Sequence, residues 1–381
     1  MKEAPEQPLR GPAAFESEEP EALQAQAAIL LSVGAELRGD RVAVQAKSAA
    51  AAAPADMLET AVLDEFPIPR LAPPGRRISG RKALEAVAAD AAEAKAAEAE
   101  AAEAPARPSR LAELAETLYE RQSATAAAAL SHAALRHPYE LVRVAAANAA
   151  LAVTTEPREP YRVLVEGTYS DDELVRDVAA TSLARYRPDH PRLAALAPEP
   201  PPPGEGTAET STLVHGTWAA NGTWWRPAGD FWSYVDADVW HDLYDQNDFY
   251  KWSGGYSDGA RDQGADLLVT WMNNHGAAGL SLMAHSHGAS VTMLASWRGV
   301  NFGRVVFLSA PVHPAKYKMN FAAVQRVVSF RVKLDLVLLA DGSGSKFSDP
   351  RYNENVLPIW FNHSATHDPD IWRRYDLRSK L

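Results

Sequence analysis

The spacing of apolar positions changes character near residue 211. Before that point they recur with a helical period. Leu111, Leu114, Leu118 and Tyr119 share one face, and Leu23, Ile29, Leu30, Leu31 and Val33 give 21–37 a partial apolar face. After it, short apolar runs at 212–214, 248–252, 280–283, 304–309, 326–332 and 355–361 predict strands. Helix-compatible stretches at 256–274 and 289–297 lie between some of them. Strands alternating with helices imply an α/β unit: a mostly parallel sheet covered on both faces, with functional groups at the strands' carboxyl ends.

The first half divides further. Residues 1–20 are rich in Pro and Glu, a composition that predicts disorder, and the frequent prolines of 47–80 predict a loose connector. Residues 82–104 are almost pure Ala, Glu and Lys, which predicts a solitary helix with little surface to bury. Pro138 is placed to open a helix at its first turn. An internal repeat follows: ELVRVAAANAAL at 140–151 returns as ELVRDVAATSLA at 173–184. Each copy trails another helix-length segment, so the unit is a helix pair stacking small Ala faces. The Val142-Arg143 and Val175-Arg176 pairs within it resemble the second helix of HEAT-like repeats over about 109–195. That resemblance implies a platform for a protein partner, or else an α-helical cap serving the unit that follows. Arg143 and Arg176 are expected to bridge neighbouring repeats through Asp171 or Asp172. The expected division is 1–108 low-complexity with isolated helices, 109–197 helical repeats, 198–210 a stiff Pro-rich linker, and 211–381 the α/β unit.

Composition sharpens this division. All ten Trp fall between Trp218 and Trp372, and the net charge of −11 belongs wholly to residues 1–210, because 211–381 carries 16 basic and 16 acidic groups. An acidic helical half argues against a nucleic-acid partner. The absence of Cys excludes disulfides and thiolate chemistry. No apolar run approaches a membrane span and no secretory signal is visible, so a cytoplasmic location is expected. The final Ser379-Lys380-Leu381 would be a peroxisomal address in a eukaryote. No glycine fingerprint for a flavin or nicotinamide is present, and no cofactor is expected. The run Asp236, Asp238, His241, Asp242, Asp245, Asp248 lacks the Gly and Glu of an EF-hand loop and reads as solvated.

The chemistry centres on Ala284-His285-Ser286-His287-Gly288, a small-x-Ser-x-small turn between a strand and a helix. Small flanking residues let the backbones approach, and Ser286 then stands at the apex as a nucleophile. The stretch Val214-His215-Gly216-Thr217 follows the first strand. There a glycine can turn amides toward a developing oxyanion, which makes the N–H groups of Thr217 and His287 the expected donors. Asp335 and His363 each follow a later strand, and Ser286, Asp335, His363 is the order of an α/β-hydrolase triad. Asp341 is the alternative acid and His367 the alternative base. On these motifs, residues 211–381 resemble an α/β-hydrolase of the lipase/esterase type. The resemblance implies a small-molecule or lipid ester as substrate and an acyl-enzyme intermediate. An amidase or peptidase would share the triad, and a non-catalytic adaptor could share the fold. Trp224, Trp225, Phe231 and Trp232 either line an acyl pocket or pack a long loop.

Overall fold

The computed structural model describes residues 10–40, 66, 68–71, 74–98, 110–201, 211–344 and 346–381. The chain forms two compact units, Met1–Tyr186 with Leu336–Ser343, and Arg187–Asp335 with Gly344–Leu381. Among the described residues, no helix is long and apolar enough to cross a membrane.

The first unit contains α1 (Pro20–Arg38), α2 (Gly80–Glu98), α3 (Arg110–Arg121), α4 (Ala124–Ala134), α5 (Glu140–Val153), α6 (Arg158–Gly167) and α7 (Glu173–Tyr186). It begins well before residue 109. Helix α1 packs against α5 and is buried on every face, although Gln26, Ser32 and Glu36 interrupt its apolar pattern. Two of these polar groups have backbone partners: Gln26 Nε2 donates to the carbonyls of Ala14 and Ser17, and Glu36 accepts from the Leu71 amide. These bonds satisfy Gln26 Nε2 and Glu36 Oε2, whereas Gln26 Oε1 and Ser32 Oγ are buried with no hydrogen-bond partner among the described residues. Residues Gly11–Glu16 form a 3-10 helix with Ala14 and Phe15 buried, so the expected disorder does not extend there; residues 1–9 lie outside the described residues. Most of the expected connector at 47–80 and the linker residues 202–210 also lie outside them. Helix α2 is not solitary. It packs on α4 and buries Ala83 and Val87, and Gly80 sits so close to the His132 ring that a Cβ there would overlap it.

The sequence repeat corresponds to two helix pairs, α4 with α5 and α6 with α7. Pro138 lies just outside α5, whose N-cap is Tyr139. The repeat arginines do not reach Asp171 or Asp172. Arg143 Nη1 donates to the carbonyl of His137 at 2.8 Å, and Arg176 Nη1 to that of Ser170 at 3.1 Å, each six residues upstream. Each arginine thereby ties down the loop entering its own helix. Asp172 instead accepts from the Leu174 and Val175 amides, as a helix N-cap does. The link between repeats is made by Ser170 donating to Glu140 and by the buried Asn148 donating to Ser182 Oγ at 2.8 Å.

The second unit holds α8 (Pro191–Leu196), β1 (Thr212–Val214), α9 (Asp230–Asp238), α10 (Asp258–Asn274), β2 (Leu280–His285), α11 (Gly288–Ala295), β3 (Phe302–Leu308) and β4 (Val324–Lys333). After α12 (Leu336–Asp341), which belongs to the first unit and packs there on α1 and α7, come β5 (Tyr352–Trp360) and α13 (Pro369–Arg374). The five strands form one sheet in sequential order, all pairs parallel. Side chains alternate between its faces, as a period of two requires. Val214, Leu282, Ala284, Val305, Phe307 and Val327 join Leu268 and Trp271 of α10 in one core. Leu213, Met283, Val306, Leu308, Val328 and Phe330 face Phe231, Val235 and Trp372 in the other.

The stretch 248–252 does not form the expected strand. Its side chains anchor it instead, with Tyr250 Oη donating to the Gly264 carbonyl and Trp252 Nε1 to that of His215. No helix connects β3 to β4, so the strand–helix alternation lapses there. The C-terminal residues are folded: a 3-10 turn covers Leu377–Lys380, and Leu381 rests against the second core.

Candidate active site

Strand β2 delivers Ser286 to the sheet's carboxyl edge. Ser286 has a φ of +50°, a left-handed conformation that a β-substituted residue adopts only under tight constraint. Two glycines provide that constraint. A Cβ on Gly216 would stand 2.7 Å from Ser286 Cβ, and one on Gly288 would stand 2.7 Å from the His215 carbonyl and 2.8 Å from that of Val214. The turn therefore packs directly on the backbone leaving β1, which is why the positions flanking the serine must be small. This is the close approach expected of the small-x-Ser-x-small pattern.

The end of β3 ties the serine to the histidine. The Ser286 amide donates to the Leu308 carbonyl at 2.8 Å, and the next residue, Ser309, donates from Oγ to the His363 carbonyl at 3.0 Å. Thr366 Oγ1 donates to Ser309 Oγ in turn. The rings of His285 and His363 lie with centroids 4.6 Å apart. His363 Nδ1 is 2.7 Å from Asp335 Oδ2, with both side chains nearly completely buried. An acceptor carboxylate there assigns the ring proton to Nδ1 and leaves Nε2 as the basic nitrogen. Asp341 lies on α12 in the first unit; the carboxylate that His363 meets is Asp335.

His367, the alternative base, stacks face to face on Trp224 at 4.0 Å and edge-on to His285 at 4.5 Å. Burial pushes its pKa down to about 3, aided by repulsion from His363. His285 is driven well below the ordinary imidazole range by burial first and by its histidine neighbours second. His215 is also lowered by burial, to about 3, with its ring nitrogens facing the carbonyls of Gly216 and Trp252. Three neutral imidazoles thus surround the base of the turn. Trp224, Trp225 and Phe231 are buried in the second core and pack the long loop.

Thr217 follows Gly216, and its Oγ1 is buried with no hydrogen-bond partner among the described residues. The Trp218 amide donates to the Gly254 carbonyl at 2.9 Å and fixes the loop. His287 begins α11 as its N-cap, with φ −67° and ψ −7°. The sequence reading missed what holds its ring. Arg261, from the first turn of α10, places Nη2 2.9 Å from His287 Nε2. No spacing rule relates residues 26 apart on different helices, so no signal in the sequence pointed to this pair.

The acidic run at 236–248 disperses among separate partners. Asp238 pairs with Arg373, Asp242 accepts from Ser211 Oγ, and Asp248 accepts from Tyr244 Oη while facing His275 Nε2 at 3.0 Å. Set against models of known protein families, curated proteins and solved structures, the chain matches none of them.

Proposed function

We propose that the protein is a serine hydrolase that cleaves carboxylic esters through Ser286, His363 and Asp335. We further propose that 211–381 is an α/β-hydrolase domain and that the helix pairs of the first unit are HEAT-like repeats, a surface for a protein partner. The observation that carries the hydrolase reading is the left-handed serine at the end of β2, wedged against Gly216, with a histidine–carboxylate pair on the same sheet edge. The left-handed exit recurs at Ser309, Leu334 and Phe361, and what sets Ser286 apart is its packing on Gly216, with Gly288 pressed on the carbonyls of Val214 and His215.

In this reading His363 Nε2 takes the proton of Ser286 Oγ as the hydroxyl attacks the ester carbonyl. Asp335 holds the imidazole in the Nδ1–H tautomer and stabilises the imidazolium that forms. The amides of Thr217 and His287 receive the charge of the tetrahedral oxyanion. His363 returns the proton to the leaving alcohol, and water then repeats the sequence on the acyl-enzyme. The buried surroundings strengthen each electrostatic contact.

The decisive test is labelling with a fluorophosphonate probe, with p-nitrophenyl ester turnover measured in parallel. The expected result is stoichiometric labelling and turnover in the parent, and neither in Ser286→Ala, with an unchanged far-UV spectrum. A parent that neither labels nor turns over would leave the adaptor reading in its place. A matched amide panel separates esterase from amidase.

A further inference from the structure

We infer that Arg261 is a positioning residue that clamps the His287 ring and so fixes the amide on the oxyanion side of Ser286; this inference rests on the hydrolase reading above. The Arg261 side chain is nearly fully buried, 5% exposed, and a cation at such depth needs partners for its protons; among the described residues both Nη atoms have them and Nε has none. Nη1 meets Asp258 Oδ1 at 3.2 Å and Tyr317 Oη at 3.0 Å, and Nη2 meets His287 Nε2 at 2.9 Å. The guanidinium also lies over the Tyr256 and Tyr317 rings, at 5.0 and 5.7 Å from their centroids.

The anchor itself is braced. Tyr317 Oη donates to Asp258 Oδ1 at 2.6 Å, and Lys316 Nζ holds Asp258 Oδ2 at 2.7 Å. Tyr317 and Lys316 come from the β3–β4 connection, so the clamp spans three segments of one unit.

A guanidinium has donors and no acceptor, so the Arg261 contact makes His287 Nε2 an acceptor. The ring proton then sits on Nδ1, 3.2 Å from Ser290 Oγ on the next turn of α11. Both ring nitrogens are engaged, and the ring faces His313 in parallel at 5.8 Å, with Tyr256 edge-on at 5.9 Å. A ring held at both nitrogens and flanked by His313 and Tyr256 can rotate only by giving up those contacts, which favours one setting of the backbone that carries it. That backbone includes the amide next to the nucleophile. Arg261 therefore acts through His287 and does not itself reach the reacting atoms.

The test combines a spectroscopic and a kinetic readout on the full-length chain. Imidazole ¹⁵N shifts of the parent, with His287 assigned by loss of its signal in a substituted chain, should report the Nδ1–H tautomer. In Arg261→Met that preference should give way to tautomer exchange. The same variant should lose about tenfold or more in kcat on a soluble ester with KM within about twofold, since displacing a catalytic group by ~1 Å costs on the order of a hundredfold. Tyr317→Phe keeps the ring packing and removes one anchor, so a smaller loss in kcat is expected; it also serves if Arg261→Met fails to fold. An Nε2–H tautomer in the parent, or an Arg261→Met variant with kcat within about twofold of the parent, would overturn the inference. A parent inactive toward both probe and esters sinks the hydrolase reading and the catalytic part of this one, while the tautomer still decides whether the clamp exists.

Discussion

Ser286, Ser309, Leu334 and Phe361 share one feature: each is the first residue beyond a strand, and each has a left-handed backbone, with φ between +47° and +70°. Left-handed geometry costs a non-glycine residue about 1–3 kcal/mol, so its recurrence at four successive strand ends needs a common cause. Hydrogen bonding supplies one at three of them. The amides of Ser286, Ser309 and Phe361 still donate to the neighbouring strand, at Leu308, Phe330 and Lys333, while the chain turns away from the sheet. The sharp exit thus keeps the ladder satisfied and brings Ser286, Asp335 (next to Leu334) and His363 (two past Phe361) to the same edge. Removing the charge that orients His363 should be costly. Asp335→Asn is expected to lower kcat by about 10⁴-fold with the fold retained, the loss that a wrong imidazole tautomer causes in triads of this kind. Steady-state ester kinetics check this, and a loss below about tenfold would count against Asp335 as the acid.

Among elements, the contact of the serine turn with β1 is the most sensitive to volume. Gly288→Ala would set a methyl 2.7 Å from a backbone carbonyl oxygen, which cannot swing aside as a flexible side chain could. Overpacking of this kind typically costs about 1–3 kcal/mol, and the expected outcome is a urea midpoint lowered accordingly. Tryptophan fluorescence is the suitable probe because every Trp lies in 211–381. In the helical unit the small Ala faces do comparable work. Gly167 lies where a Cβ would be 2.7 Å from Val144 Cγ2 and 2.9 Å from Ala179 Cβ, so α6 can approach both repeat helices only without a side chain there. Gly167→Leu should destabilise that unit, read as a lowered transition in far-UV circular dichroism.

At the scale of the second unit, its buried histidines govern the response to pH. His215 and His367 titrate near 3 when folded, and His285 well below the ordinary value, whereas each would titrate near ~6.5 in the unfolded chain. The unfolded state therefore binds more protons throughout that interval, and stability falls as pH falls. His215 and His367 each contribute a slope of up to about 1.4 kcal/mol per pH unit between roughly pH 6.5 and pH 3, and His285 acts in the same direction. Urea unfolding followed by tryptophan fluorescence should show a midpoint that declines steadily from pH 7 to pH 5, beyond any change in activity. A flat midpoint over that range would mean that these rings are hydrated.

The sequence is a sound guide to whatever depends on neighbours along the chain. Short apolar runs placed β2 to β5 to within a few residues, the 33-residue repeat located α5 and α7, and the demand for small residues around Ser286 was local enough to read directly. It misplaced what depends on partners far away. Alanine and polar positions made 21–37 and 82–104 look unpartnered, because a helix's burial is set by the helices that meet it and by distant carbonyls such as those that accept from Gln26 Nε2. An extended run at 248–252 looked like a strand, because propensity cannot say whether a ladder partner is within reach. The order of the motifs already named Asp335, with Asp341 as the alternative; tertiary structure set Asp335 on His363, stacked His367 on Trp224, and brought Arg261 to His287. Each of these is a meeting of side chains from different elements, fixed by sheet order and helix packing, and a linear spacing carries no record of it.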